Sequence, residues 1–392
     1  MCVSDERSAA GVARVLEGAR AEHVVPDLLR THRDLDDAGR GRLARRVLGT
    51  CVLRARLAFL AGLEGPLTPT HAAALVDAYV RFEEERAPVD VAWPYDLLAR
   101  MRLERSAPAF MVGDLVDSLT FEGADAFLAA SNIPAPAVLR VNTLRATKEQ
   151  LRVRLLAEGI VTRDSPLAAS ALVVEPPLAE ATPHARRPNF FGSPSWRAGL
   201  FELQDESSQA CVEICGARPG DMVIDLCAGR GGKTLALAAA MGDQGTLWVN
   251  DVDARALADM KPRLVRAGVT CVRSWATSDV DARERADLVL VDAPCSSWGP
   301  LRRSPDLRWT QTADELVPLP ALQLTLLQRA LLLVRPGGRV VYATCTVRRA
   351  ENDDVIDALL ARGHAVAVEG KRTLLPHVEG CDGFFTAVLR KR

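Results

Sequence analysis

Val223-Ile224-Asp225-Leu226-Cys227-Ala228-Gly229-Arg230-Gly231-Gly232-Lys233-Thr234 reads as a buried strand, a tight glycine-rich turn and the start of a helix. Glycine lets the backbone come close to a ligand. Asp251 ends the next apolar run, about 20 residues further on, where a carboxylate can accept hydrogen bonds from both ribose hydroxyls of a nucleotide-like cofactor. The rival is a P-loop, because Gly232-Lys233-Thr234 copies its ending and Leu288 to Asp292 copies its acidic strand. That pattern requires glycine at position 227, where Cys227 stands.

Working outward, Met222 to Cys227, Thr246 to Asp251, Val269 to Ser274, Asp287 to Asp292 and Arg339 to Ala343 are short apolar runs of buried-strand type. Helical patterns such as Ala254 to Ala267 and Pro320 to Val334 separate them, and His364 to Glu369 and Phe384 to Leu389 add two further strands. This alternation predicts an α/β fold, a Rossmann-like doubly wound sheet of seven strands, with ligands beyond the C-terminal strand ends. Upstream, helical spacing from about residue 8 to 85 marks a helical region, and Leu139 to Leu144 reads as a strand ahead of a helix over Lys148 to Gly159. The expected domains are a helical one over 1–87, a small α+β region over 88–198 that includes a Pro- and Arg-rich loop from Pro183 to Ser195, and a catalytic domain over 199–392.

The 392 residues are long for one domain. Lys and Arg number 49 against 50 for Asp and Glu, so any nucleic-acid contact is expected to be local. The N-terminus lacks a secretory pattern, and the apolar stretch Leu322 to Val334 is too short to span a bilayer; a cytoplasmic chain without membrane contact is expected. Nine cysteines without a framework spacing read as reduced thiols. Cys211 and Cys215 lack a second ligand pair nearby, which favours core packing over a metal site.

Two other cysteines close strand-like runs: Cys295 follows Asp292-Ala293-Pro294, and Cys345 follows Tyr342-Ala343-Thr344. Core packing is the ordinary fate of a free cysteine, but both lie at the rim where a parallel sheet places its chemistry. A thiolate is a soft nucleophile suited to conjugate addition at an electron-poor ring carbon. Pyrimidine carbon 5 is too weak a nucleophile to take a methyl cation equivalent unaided, and thiolate addition at carbon 6 converts the ring to an enamine. An ionised Asp292 can accept from the exocyclic amine; a protonated one can donate to ring nitrogen 3.

These residues carry a resemblance. The chain resembles the RsmB/Sun-type RNA cytosine-C5 methyltransferases along essentially its whole length, through Leu139-Arg140-Val141-Asn142-Thr143, Gln204-Asp205-Glu206-Ser207-Ser208, the glycine turn, Asp292-Ala293-Pro294-Cys295-Ser296, Arg302-Arg303-Ser304-Pro305-Asp306-Leu307-Arg308-Trp309 and Tyr342-Ala343-Thr344-Cys345-Thr346 with Glu351-Asn352. The N-terminal helices resemble a shortened NusB-like RNA-binding domain. The resemblance implies that Cys345 is the nucleophile and that Cys295 assists product release. It implies that Cys227, Ala228, Gly229, Arg230, Gly231, Gly232 and Lys233 hold S-adenosylmethionine, with Asp251 on its ribose, Asp279 near its adenine and Asp292 between cofactor and cytosine.

The family's turn usually reads Ala-Pro-Gly-Gly, whereas Gly229-Arg230-Gly231-Gly232 stands here and brings a bulky charge to the cofactor site. Ser297-Trp298 replaces small residues, and Trp298 can either stack on a flipped base or pack. Arg302, Arg303 and Arg308 after Cys295, Arg348 and Arg349 after Cys345, and Arg186 and Arg187 in the loop are the RNA-contact candidates. The expectation is a monomeric, metal-free, S-adenosylmethionine-dependent RNA cytosine-C5 methyltransferase acting on ribosomal RNA. A noncatalytic RNA-binding factor of the same fold and a DNA cytosine methyltransferase remain as alternatives.

Overall fold

The computed structural model describes residues 3–89, 91–175, 189–274 and 283–392. They form two compact units. The first contains the helices Val3–Leu16, Ala21–Thr31, Asp37–Leu60, Ala72–Tyr79, Leu97–Glu104 and Ala109–Ser131, together with the segment Pro300–Glu315. Its apolar stripes close two clusters. Val12, Leu57, Leu75 and Val76 meet in one, and Val24, Leu28, Leu43, Val47 and Cys51 in the other.

The second unit holds two sheets. In the smaller one β1 (Val138–Val141), β2 (Thr162–Asp164), β3 (Ala171–Val174) and β4 (Phe201–Leu203) pair antiparallel in the order β2-β3-β1-β4. The larger sheet has seven strands: β5 (Met222–Asp225), β6 (Thr246–Val249), β7 (Val272–Ser274), β8 (Ala286–Asp292), β9 (Val334–Thr344), β10 (Val366–Leu374) and β11 (Phe384–Lys391), ordered β10-β11-β9-β8-β5-β6-β7. The strands β7, β6, β5, β8 and β9 pair in parallel, whereas β11 runs antiparallel to both neighbours. The short link from Leu374 to Phe384 accounts for that reversal, since a parallel neighbour needs a longer crossover.

The central strands of this sheet are covered on both faces, and the alternation of side chains along them separates two cores. Val223, Leu288, Leu290, Val341 and Ala343 join the core formed with helices Glu206–Cys215, Gly232–Ala240 and Ala254–Ala267. Ile224, Val289, Val291, Val340 and Tyr342 join the other, beneath helices Leu319–Leu333 and Asp353–Ala361. The apolar stretch around Leu322 to Val334 is therefore largely a sheet-covering helix, with Leu327 and Ala330 buried in that core. Cys211 and Cys215 sit in the first core.

The predicted boundaries of the helix Ala254–Ala267 agree with the structure, where Asp253 caps its start and Gly268, at φ +75°, ends it. The strand expected from Val269 begins only at Val272, because the chain needs those residues to leave the glycine cap.

Candidate active site

The site is assembled where β5, β6, β8 and β9 end. Asp225 pairs with Val249 and Leu290, so the chain leaves β5 between β6 and β8, the point where strand order reverses. The turn is then tied down: Ala228 N–H donates to the Asn250 carbonyl at 3.0 Å, and Gly229 N–H to Asp251 Oδ2 at 2.8 Å. Gly229 and Gly231 adopt φ +52° and +82°, and a Cβ on Gly231 would stand 2.4 Å from Met260 Cγ. This turn demands glycine at 231 both for its backbone angle and for space.

Arg230 is engaged on the helix that follows β6. Its exposed guanidinium lies 3.3 Å from Asp259 Oδ2, so the added charge is partnered at the surface. Cys227 is partly buried, and burial pushes its thiol up to about 12, which leaves it an inert neighbour of the turn.

Asp225 lies at the floor of this turn, almost fully buried. Its Oδ2 accepts the Thr234 hydroxyl at 2.7 Å, while Oδ1 is buried without a hydrogen-bond partner. Burial raises its carboxyl to about 7, with the Thr234 bond pulling the other way. No role was predicted for Asp225. Its signal in the sequence is a carboxylate at the end of an apolar strand.

Lys233 reaches from the first turn of its helix to Asp292 at the end of β8, with Nζ 2.6 Å from Oδ2. Burial would depress its ammonium, but Asp292, with Cys211 and Cys345, outweighs that and holds it above its ordinary value. The Lys233 ammonium also stands 5.0 Å from the Phe384 ring centroid.

Both strand-end thiols arrive at this edge. The parallel register pairs Asp292 with Ala343, and Cys295 and Cys345 follow these paired residues by three and two positions. Their sulfurs are 3.4 Å apart. A hydrogen bond from Cys295 lowers the Cys345 thiol below its ordinary value; burial and the Asp292 charge oppose this, while Ser297 and Lys233 add to it. Cys295 is pushed well up, by its bond to Cys345, by burial and by the charges of Cys345 and Glu351. The pair is therefore polarised, with Cys345 the more acidic thiol.

Glu351, wholly buried, braces both cysteine loops. Its Oε2 accepts Ser296 N–H at 2.9 Å and Gln323 Nε2 at 2.8 Å, and its Oε1 accepts Arg348 Nη1 at 2.8 Å. Ser296 and Thr346 hydroxyls meet at 2.7 Å, and Gly299 N–H donates to the Cys345 carbonyl at 2.9 Å. These polar contacts are buried, and they fix one loop against the other. Composition and strand pattern carry no signal for this bracing.

The remaining candidates scatter. Arg308 departs from the RNA-contact expectation. It is fully buried in the helical unit, where it donates to the Ser106 carbonyl at 3.0 Å and to Asn132 Oδ1 at 2.8 Å. Arg348 is likewise spent inside, on Glu351 and over the Trp298 ring at 5.1 Å. Trp298 is itself completely buried, so it packs. Arg302 is partly buried and Arg303 exposed in the segment that belongs to the helical unit; Arg349 is exposed and 3.0 Å from Asp354. Asp279, Arg186 and Arg187 lie outside the described residues.

Residues 213–390 match the model of the 16S rRNA methyltransferase RsmB/F family, and residues 107–179 match the ferredoxin-like domain of RsmF/B-like methyltransferases. The chain is 31% identical over 322 residues to the probable ribosomal RNA small subunit methyltransferase B of Bacillus subtilis, covering 76% of this chain and 69% of that one. Identity to the ribosomal RNA small subunit methyltransferase B of Xanthomonas campestris pv. campestris is 30%, covering 98% and 99%. The chain belongs to the RsmB/F methyltransferase family. A crystal structure of a methyltransferase homologue from Pyrococcus horikoshii, 26% identical, superposes with a TM-score of 0.66 over 76% of this chain and all of that one.

The enzyme is an S-adenosylmethionine-dependent RNA methyltransferase. The residues fit that cofactor: a glycine turn whose Cβ-free face leaves room, a carboxylate on Asp251 at the next strand end, and an unpartnered buried carboxylate oxygen on Asp225 suited to a cationic ligand.

Proposed function

We propose that the enzyme methylates carbon 5 of a cytosine in ribosomal RNA through a covalent adduct on Cys345, with Cys295 assisting release. The observation that carries this reading is the contact of two strand-end sulfurs, 3.4 Å apart, at the C-terminal edge of the parallel sheet. Cys345 ionises and its thiolate adds to carbon 6 of the ring, forming the C–S bond while the C5–C6 π electrons make carbon 5 an enamine carbon. S-adenosylmethionine, when bound, supplies an electrophilic methyl group. After carbon 5 carries the methyl, loss of its proton to a base re-forms the C5–C6 double bond and expels the Cys345 thiolate.

Asp292 acts on the base through its carboxylate. Ionised, it can accept from the exocyclic amine while Oδ2 holds the Lys233 ammonium at 2.6 Å; protonated, it could donate to nitrogen 3. Asp251 would take the ribose hydroxyls, and residues 227–233 the rest of the cofactor. Among the arginines, Arg303 and Arg349 are the exposed ones fit for phosphate contact, and a single-stranded or flipped-out cytosine is the substrate form such a site can reach.

The test compares two variants. Cys345→Ala should abolish both turnover and adduct formation, whereas Cys295→Ala should leave addition intact and let a denaturation-resistant protein–RNA complex accumulate. Turnover by Cys345→Ala would show that the roles are misassigned. Bisulfite sequencing of RNA from cells with and without the gene would locate the cytosine.

A further inference from the structure

Ser297 is one of six non-glycine residues with positive φ among the described residues, at +58°, and it is the one that touches both sulfurs. Its Oγ lies 3.4 Å from Cys345 Sγ, 3.9 Å from Cys295 Sγ and 3.4 Å from the Cys295 carbonyl oxygen. A serine in the left-handed region carries strain that glycine would not. Its neighbours hold it there. Ser296 is bound to Glu351 and Thr346, Trp298 is wholly buried, and Gly299 N–H is tied to the Cys345 carbonyl. This geometry holds the hydroxyl of the half-buried Ser297 against the thiols.

We propose that Ser297 is a positioning residue for Cys345: its hydroxyl accepts from the thiol in the resting state and turns to donate to the thiolate once the proton has left. The inference rests on the reading of Cys345 as the nucleophile. It extends that reading by assigning a task to a strained side chain. A hydroxyl has one hydrogen and two lone pairs, so it can hold the thiol by accepting while its own hydrogen points to the Cys295 carbonyl. On ionisation, rotation about the Cβ–Oγ bond brings that hydrogen to sulfur, and no other atom need move. The other groups facing Cys345 are the Cys295 thiol, the Asp292 carboxylate and the Lys233 ammonium; Glu351 and Tyr342 act beyond them, on Cys295. Lys233 is engaged by Asp292, which leaves Cys295 and Ser297 as the hydrogen-bond partners of the Cys345 sulfur.

Ser297→Gly and Ser297→Ala separate the hydroxyl from the strain. Both remove the hydroxyl. Glycine relieves the backbone and should raise Tm by about 1 to 3 °C, while alanine keeps the strain and should not. Cys345 is then alkylated with iodoacetamide in the whole chain from about pH 5.5 to about pH 9.5, a range that brackets thiol ionisation, with the labelled peptide quantified by mass spectrometry. The expected result is the same rise in both variants, about one pH unit in the midpoint of Cys345 alkylation, and about tenfold slower labelling at neutral pH. A midpoint unchanged in either variant, or one that follows Tm, overturns the proposal. The measurement reads a thiol and not a methylated product, so turnover by Cys345→Ala would sink the parent reading and leave this result standing on its own.

Discussion

Replacing Asp225 by asparagine should stabilise the catalytic unit, and increasingly so as pH rises. The carboxyl is almost fully buried, its Oδ1 has no partner, and burial brings it from 3.8 to about 7. In the unfolded chain the group ionises near its ordinary value, so between about pH 4 and 7 the folded state holds a proton that the unfolded state has lost. Stability therefore falls with rising pH through that window and levels off above it. At about 1.4 kcal/mol per pH unit, the ionised form costs the folded chain about 4 kcal/mol, an upper figure. Asparagine is nearly isosteric, carries no charge, and its carbonyl can still accept the Thr234 hydroxyl. Orienting an amide NH₂ toward the unpartnered side costs some of the gain, leaving about 1 to 3 kcal/mol. Urea unfolding at pH 5 and pH 8.5, read by hydrogen exchange of the β5 amides, measures it in the right unit of the molecule. A variant no more stable than the parent at pH 8.5, or a difference that does not grow between the two pH values, would refute the reasoning. S-adenosylmethionine affinity should fall in the same variant, since a charge held at such cost inside a cofactor site is the kind of feature that trades stability for binding.

Gly231→Ala should lose about 1 to 2 kcal/mol from backbone strain alone and displace Met260, with cofactor affinity reduced at least tenfold by calorimetry; Gly229→Ala, with open space at its Cβ, should lose only the strain. Glu202 joins β4 to the helix Ala254–Ala267 by accepting Arg263 at 3.0 Å and, more tightly, Arg266. Neutralising it in Glu202→Gln leaves two partly exposed guanidinium groups poorly matched, and a loss of about 1 to 3 kcal/mol is expected in urea unfolding.

Much of the fold was legible because its signals are local. The central strands of the large sheet alternate between two covered faces, as Leu288-Val289-Leu290-Val291 does between its two cores, so the apolar run announces burial without reference to any partner. Helix ends were readable where a capping residue stands in the chain, as Asp253 and Gly268 do. The reversal of β11 was not, because strand direction depends on the length and path of the link before it. The burial of Arg308 was not legible either, since an arginine beside other arginines looks like a solvated face until the carbonyls that receive it are known.

The sequence by itself determined that two cysteines end two apolar runs, that a glycine turn follows another, and that the chemistry collects beyond the C-terminal strand ends. Tertiary structure decided that the two sulfurs meet, that Lys233 holds Asp292, that Glu351 binds the two cysteine loops together, and that Ser297 touches both thiols. The physical reason is distance along the chain. Strand and turn propensities act over a few residues, whereas Cys295 and Cys345 are fifty apart and meet only because β8 and β9 pair in one particular parallel register.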